Sequence, residues 1–154
     1  MRKSAWIAVQ YKKQFLLLQR GKKANNPKLW NLPGGGLEKG ELPKKTVIRE
    51  LREEAGIIVR DSQVEFLKRV TSGGREMFFY RVVFPAKPKV TIDFESKNYK
   101  WLKLKDFPKK KKLHYQTGKF LKHSDKFDLE LSENDLGQLI SAALDQAKAL
   151  VVNE

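Results

Sequence analysis

The chain has no cysteine. A disulfide framework and a thiolate metal centre are therefore excluded, and a reducing compartment fits the sequence. Long apolar runs are missing too: no stretch approaches the ~20 apolar residues of a membrane-spanning helix. The opening segment MRKSAWIAVQYKKQ sets basic residues before an apolar stretch, as a secretory signal does. Ala5 to Val9 is too short for a signal's hydrophobic region, however, and it alternates onward like a strand. The expectation is a soluble cytoplasmic protein with no membrane partner. Carboxylates are also scarce, 18 Asp and Glu against 32 Lys and Arg, which leaves a net charge of +14. Such an excess suits polyanionic partners such as nucleotides or nucleic acid, although a basic, solvated exterior gives the same total. With acids so few, a place where they gather calls for a reason.

A length of 154 residues is enough for one domain with a proper core, and one domain over residues 1–154 is expected. SAWIAVQ and QFLLLQR read as a strand pair turning at Tyr11-Lys12-Lys13. GKKANNPK is a polar loop, and LWNLPGGG after it carries three glycines that permit unusual backbone geometry. A helix then starts at Pro43, shows an apolar stripe of Val47, Ile48, Leu51 and Ala55, and stops at Gly56. VEFLKRVT and EMFFYRVVF form a second strand pair around Ser72-Gly73-Gly74, with VTIDF and YKWLKL as shorter strands. Ser132 and Asp135 cap a last helix whose Leu136, Leu139, Ile140, Ala143, Leu144, Ala147 and Leu150 keep helical period. Strands on both sides of a central helix predict an α/β or α+β sandwich.

The acids gather on that central helix. Glu50, Glu53 and Glu54 lie three and four residues apart, on one face and away from the apolar stripe. Carboxylates so placed repel one another unless a cation is shared. Salt bridges to Arg49 and Arg52 are one reading. A divalent ion is the other, because backbone carbonyls of the glycine turn could complete an oxygen shell for Mg²⁺.

From Gly35 the spacing runs G-x5-E-x7-R-E-U-x-E-E-x-G-U, U being a bulky aliphatic residue. Gly35, Glu41, Arg49, Glu50, Leu51, Glu53, Glu54, Gly56 and Ile57 fill every defined position. This segment resembles the Nudix box, and LWNLPGG resembles the family's lead-in. The resemblance implies an α/β/α sandwich around a mixed sheet. It implies a pyrophosphohydrolase that cleaves a nucleoside diphosphate linked to a group X with Mg²⁺ or Mn²⁺. Glu50, Glu53 and Glu54, helped by the Gly35 carbonyl, would hold the metal, with Glu53 also a catalytic candidate. Arg49 would pair with Glu41 and orient the glutamates. Leu42 departs from the family's usual Ser or Thr at the helix start, so Lys44 and Lys45 face the helix dipole uncapped.

Beyond the box, Glu95 precedes Trp101 by six residues, as a further glutamate does in family members, and would bind metal or act as general base. Arg20 resembles the family's basic residue near the substrate phosphates. Tyr80 and Tyr115 are candidate base contacts, whereas Trp6 and Trp30 fit a core. His114 and His123 are read as surface residues. Residues 70–76, VTSGGRE, lack the proline and the tyrosine that mark ADP-ribose and diadenosine polyphosphate hydrolases, and the SQPWPFPQ mark of NADH-cleaving members is missing. What is left resembles MutT-like hydrolysis of (deoxy)nucleoside triphosphates. An RNA 5′-end pyrophosphohydrolase and a non-catalytic nucleotide sensor remain as alternatives. The run from Lys109 to Lys126 bears on the RNA reading.

Overall fold

The structure, a computed structural model, describes residues 2–21 and 29–107. The lysine-rich stretch with His114, Tyr115 and His123, and the helix expected after Ser132, lie outside the described residues. Among the described residues, seven strands and one α-helix follow in the order β1 (Arg2–Tyr11), β2 (Gln14–Arg20), β3 (Trp30–Asn31), β4 (Gly34–Gly36), α1 (Pro43–Ala55), β5 (Glu65–Ser72), β6 (Arg75–Phe84) and β7 (Ser96–Lys103). Short 3-10 turns occupy Asp61–Gln63 and Leu104–Asp106. No helix among the described residues is long and apolar enough to cross a membrane.

The strands form one mixed sheet. Its main path is β3-β2-β1-β6-β5, with β4 paired to β1 and β7 to β2. Central β1 runs parallel to β6 over its whole length, from Arg2 opposite Arg75 to Tyr11 opposite Phe84, and every other pairing among the described residues is antiparallel. A central strand covered on both faces needs apolar residues at consecutive positions, as Ala5–Val9 and Phe15–Leu18 supply. Alternation then sends side chains to two cores. Ala5, Ile7, Val9, Leu16 and Leu18 meet Val47, Leu51 and Ala55 of α1 on one face. Trp6, Ala8, Phe15 and Leu17 meet Trp30, Leu32, Met77 and Phe79 on the other. Leu51 is fully buried, so truncating it to Ala should cost about 2–5 kcal/mol.

The helix ends as its sequence demands. Gly56 takes the left-handed conformation at φ 67°, and its N–H donates to the Arg52 carbonyl while that of Ile57 donates to Leu51. This double closure satisfies carbonyls that the last turn leaves open. At the other end Leu42 gives no side-chain cap. The lysines there are not left against the dipole, however: Asp61 pairs with Lys44 at 3.0 Å and with Lys45 at 3.2 Å.

Two expectations need correction. VTIDF is not a strand; residues 90–93 are irregular, and the Thr91 N–H donates to the carbonyl of Ala55 at the helix end. The GGG segment, expected as a turn, is itself strand β4, held in register by Ser4, Ala5 and Trp6.

Candidate metal centre and active site

Strand β4 is squeezed between β1 and α1, and that explains its glycines. A Cβ on Gly34 would stand 2.2 Å from the Ala5 carbonyl oxygen, and φ there is 150°, so a side chain is excluded twice over. The freed backbone faces the helix. The Gly34 N–H donates to Glu54 Oε1 at 2.8 Å, and Glu54 is only 9% exposed. One residue on, a Cβ at Gly35 would stand 2.8 Å from Glu50 Oε1. Two glutamates of the acidic face thus abut the glycine strand, while Glu53 projects toward solvent.

Arg49 knits the face together. Its Nε and Nη2 donate to both oxygens of Glu41, at 2.8 and 3.0 Å. Its Nη1 donates to Glu50 at 2.9 Å and to Glu53 at 3.2 Å. Glu41 also accepts from the Thr46 hydroxyl at 2.7 Å and the Glu38 N–H at 3.1 Å. The Arg49 bond, ahead of the others, holds the Glu41 carboxyl down at about 2, and Glu41 in turn raises Arg49. Glu50 moves the opposite way. Burial pushes its carboxyl up, the charges of Glu53 and Glu95 push it further, and Arg49 opposes them.

The NUDIX domain family matches residues 1–123 of the chain. The chain belongs to the Nudix family. Among curated proteins it is 31% identical over 102 residues to an RNA pyrophosphohydrolase of a Nitratiruptor species, covering 59% of this chain and 66% of that protein. It is 30% identical over 100 residues to an RNA pyrophosphohydrolase of Zymomonas mobilis, covering 51% and 64%. The chain thus spans less than two thirds of those relatives' lengths. Among solved structures, a MutT NUDIX hydrolase from Burkholderia pseudomallei superposes with a TM-score of 0.56 at 24% identity, covering 70% of this chain and 86% of that one. That likeness is one of fold: a mixed sheet with the box helix laid across it.

The Nudix box residues suit a hard divalent cation. Their donors are all oxygen, two carboxylates meet a glycine backbone with no Cβ between them, and Glu50 carries unrelieved like charge. Among the described residues no three His, Asp or Glu side chains already converge on one point. The hydrogen bonds give the reason: Arg49 holds oxygens of Glu50 and Glu53, and Gly34 holds one of Glu54. A metal would take over the counter-charge that Arg49 now provides.

Glu95 sits in the turn before β7, exposed, and its charge reaches Glu50. Its backbone is fixed by the Gly21 N–H, which donates to the Glu95 carbonyl at 2.8 Å, and by its own N–H to Asp93 Oδ1 at 3.1 Å. Arg20 ends β2 beside this turn, with its backbone paired to Ser96. Tyr80 is placed otherwise. It is 7% exposed, packed in the core under α1 and edge-on to Phe66 at 5.4 Å, and burial raises its hydroxyl. A base contact needs an open ring face, which Tyr80 does not offer. Tyr115 lies outside the described residues.

Three participants escaped the sequence reading. Thr46 is fully buried and orients Glu41; its place one turn after Leu42, facing back, was the available signal. Glu38 adds its N–H to the same carboxylate. Phe94 is 92% exposed immediately before Glu95, and was hidden because VTIDF scanned as a strand.

Proposed function

We propose that the chain is a divalent-metal-dependent pyrophosphohydrolase that converts a nucleoside 5′-triphosphate into the monophosphate and pyrophosphate. The observation that carries this reading is the contact of Glu50 and Glu54 with the side-chain-free strand Gly34–Gly35, beside Arg49 and Glu53. Glu50, Glu53, Glu54 and the Gly35 carbonyl are the groups that would hold Mg²⁺ or Mn²⁺, with Glu95 able to join them. When bound, the ion supplies neutralisation of phosphate charge and a more acidic water. Glu41 and Arg49 keep the carboxylates aimed, so that little reorganisation is left for the reaction. Glu95 or Glu53 accepts the proton of the attacking water, the anhydride bond opens, and pyrophosphate leaves. Arg20, at the end of β2, is proposed to meet the phosphates.

A free (deoxy)nucleoside triphosphate is the substrate that the plain box and VTSGGRE support. RNA bearing a 5′-triphosphate is the second reading, favoured by the two curated relatives, both RNA pyrophosphohydrolases. A panel of (d)NTPs, triphosphorylated RNA, ADP-ribose, diadenosine polyphosphates and NADH, assayed with Mg²⁺ and with products identified, tests both. Pyrophosphate release from triphosphates is expected. Preference for any of the last three in kcat/KM would refute the proposal.

A further inference from the structure

The turn that carries Glu95 leads straight into β7, the outer neighbour of β2. A register shift opposite Gln19 and Arg20 bulges β7 at its start, next to Glu95. Past the bulge, Tyr99 lies opposite Leu18 and Trp101 opposite Leu16. Leu16 and Leu18 point into the core beneath α1, so Tyr99, Trp101 and, two further on, Lys103 stand on the same side of the sheet as the box helix. Tyr99 is 39% exposed and Trp101 half-buried. Lys87 reaches across from the loop after β6, with its Nζ 5.9 Å from the Trp101 ring and 5.7 Å from that of Tyr11. The exposed ring of Phe94 stands at the near end, beside Glu95.

The charge on this face has one sign. Segments 9–21, 85–91 and 96–105, which supply it, contain nine Lys and Arg and no carboxylate. Lysines on an edge strand guard against aggregation. That does not account for open aromatic rings set among them. Alternating rings and cations are what a single nucleic-acid strand uses, the rings stacking bases and the cations meeting phosphates.

We propose that the β7 face, from Phe94 past Tyr99 and Trp101 to Lys87 and Lys103, is a track for single-stranded RNA whose 5′-triphosphate occupies the glutamate site. The strand is roughly 25 Å long, more than one nucleotide can use and enough for a few in a row. RNA is the polymer in question because a chain begun on a free nucleoside triphosphate keeps that group at its 5′ end. The inference rests on the pyrophosphohydrolase reading and extends it from the triphosphate to the chain behind it.

The test uses the full chain, an eight-nucleotide RNA with and without a 5′-triphosphate, and a free nucleoside triphosphate. Tyr99→Ala should weaken binding of the RNA about 5- to 100-fold, the scale of one lost base stack, and Tyr99→Phe should restore it. Lys87→Ala with Lys103→Ala should flatten the log–log salt dependence by about one unit. Hydrolysis of the free nucleotide should stay within twofold in all of them. Unchanged RNA affinity in Tyr99→Ala, equal losses for RNA and free nucleotide, or displacement of the RNA by polyglutamate as readily as by a second RNA would overturn the track. If the wild type releases no pyrophosphate from any triphosphate while Tyr99→Ala still loses RNA, the pyrophosphohydrolase reading fails and the track stands. If pyrophosphate is released but Tyr99→Ala binds RNA normally, the reverse holds.

Discussion

Replacing Gly35 by alanine isolates the geometry of the metal centre from the stability of the fold. Gly35 does not have a positive φ, so alanine is acceptable to the backbone. The added Cβ would lie 2.8 Å from Glu50 Oε1 and 3.0 Å from Cδ. Ordinary contact begins near 3.4 Å, so the carboxylate must retreat by about 0.6 Å. Because the displaced atoms are the end of a side chain, stability should fall by about 1 kcal/mol or less, a Tm shift of roughly 4 °C at most. Catalytic groups, by contrast, must be held within about 0.5 Å, and a misplacement of about 1 Å can cost ~10²-fold. The expected result is a kcat lowered about 10- to 100-fold at saturating Mg²⁺ in a protein that melts normally. Gly34→Ala provides the contrast. Its Cβ would meet the Ala5 carbonyl at 2.2 Å at a φ of 150°, and the backbone must give way, with a loss of about 3 kcal/mol or more. Pyrophosphate release measured over a Mg²⁺ titration, beside thermal melts of both variants, decides the matter. A Gly35→Ala enzyme with kcat within twofold of wild type would refute the reasoning.

Activity should vanish with chelator and return with Mg²⁺ or Mn²⁺, and Glu53→Gln or Glu54→Gln should lower kcat about 10²-fold with the fold intact; full activity in both would remove the metal assignment. Glu95→Gln should reduce kcat with KM nearly unchanged, and an unaltered rate and pH–rate profile would return Glu95 to a solvated loop. Glu41 makes stability depend on pH in a defined window. Its folded-state carboxyl titrates at about 2 against an ordinary 4.5, so its contribution is complete above 4.5 and fades as pH falls toward 2. Tm of the wild type should therefore drop more steeply than that of Glu41→Gln between pH 4.5 and 2, the curves converging near pH 2. Parallel curves would show that the Arg49 pair contributes nothing.

Helix α1 was legible because three independent signals agree on it: Pro43, the Val47–Leu51–Ala55 stripe and the Gly56 stop. The box glutamates were legible because identical charges at helical spacing have no structural motive of their own. Strand partners were not, since alternation tells which way a side chain points but not which strand lies alongside; hence the parallel β1–β6 pairing appears only in the structure. Tyr80 was misread for a related reason. On a sheet buried on both faces, a tyrosine aimed at the core and one aimed at a ligand leave the same pattern. Strand β4 was hidden by propensity, because glycine is a poor strand former, and it is crowding by Ala5, Trp6 and Glu50 that selects it.

The parallel ladder of β1 and β6 also governs how the protein is made. Its partners are about seventy residues apart in the chain, with α1 and the glycine strand inside the loop they close. A ribosome must therefore release β6 before the centre of the sheet can exist, and the hairpin of β1 and β2 waits with one edge open. Closing so long a loop is entropically slow, and folding dominated by such distant contacts belongs to the millisecond-to-second range. The box helix has nothing to pack against until then. Metal affinity should consequently appear late and all at once during refolding, which makes it a reporter of the final step.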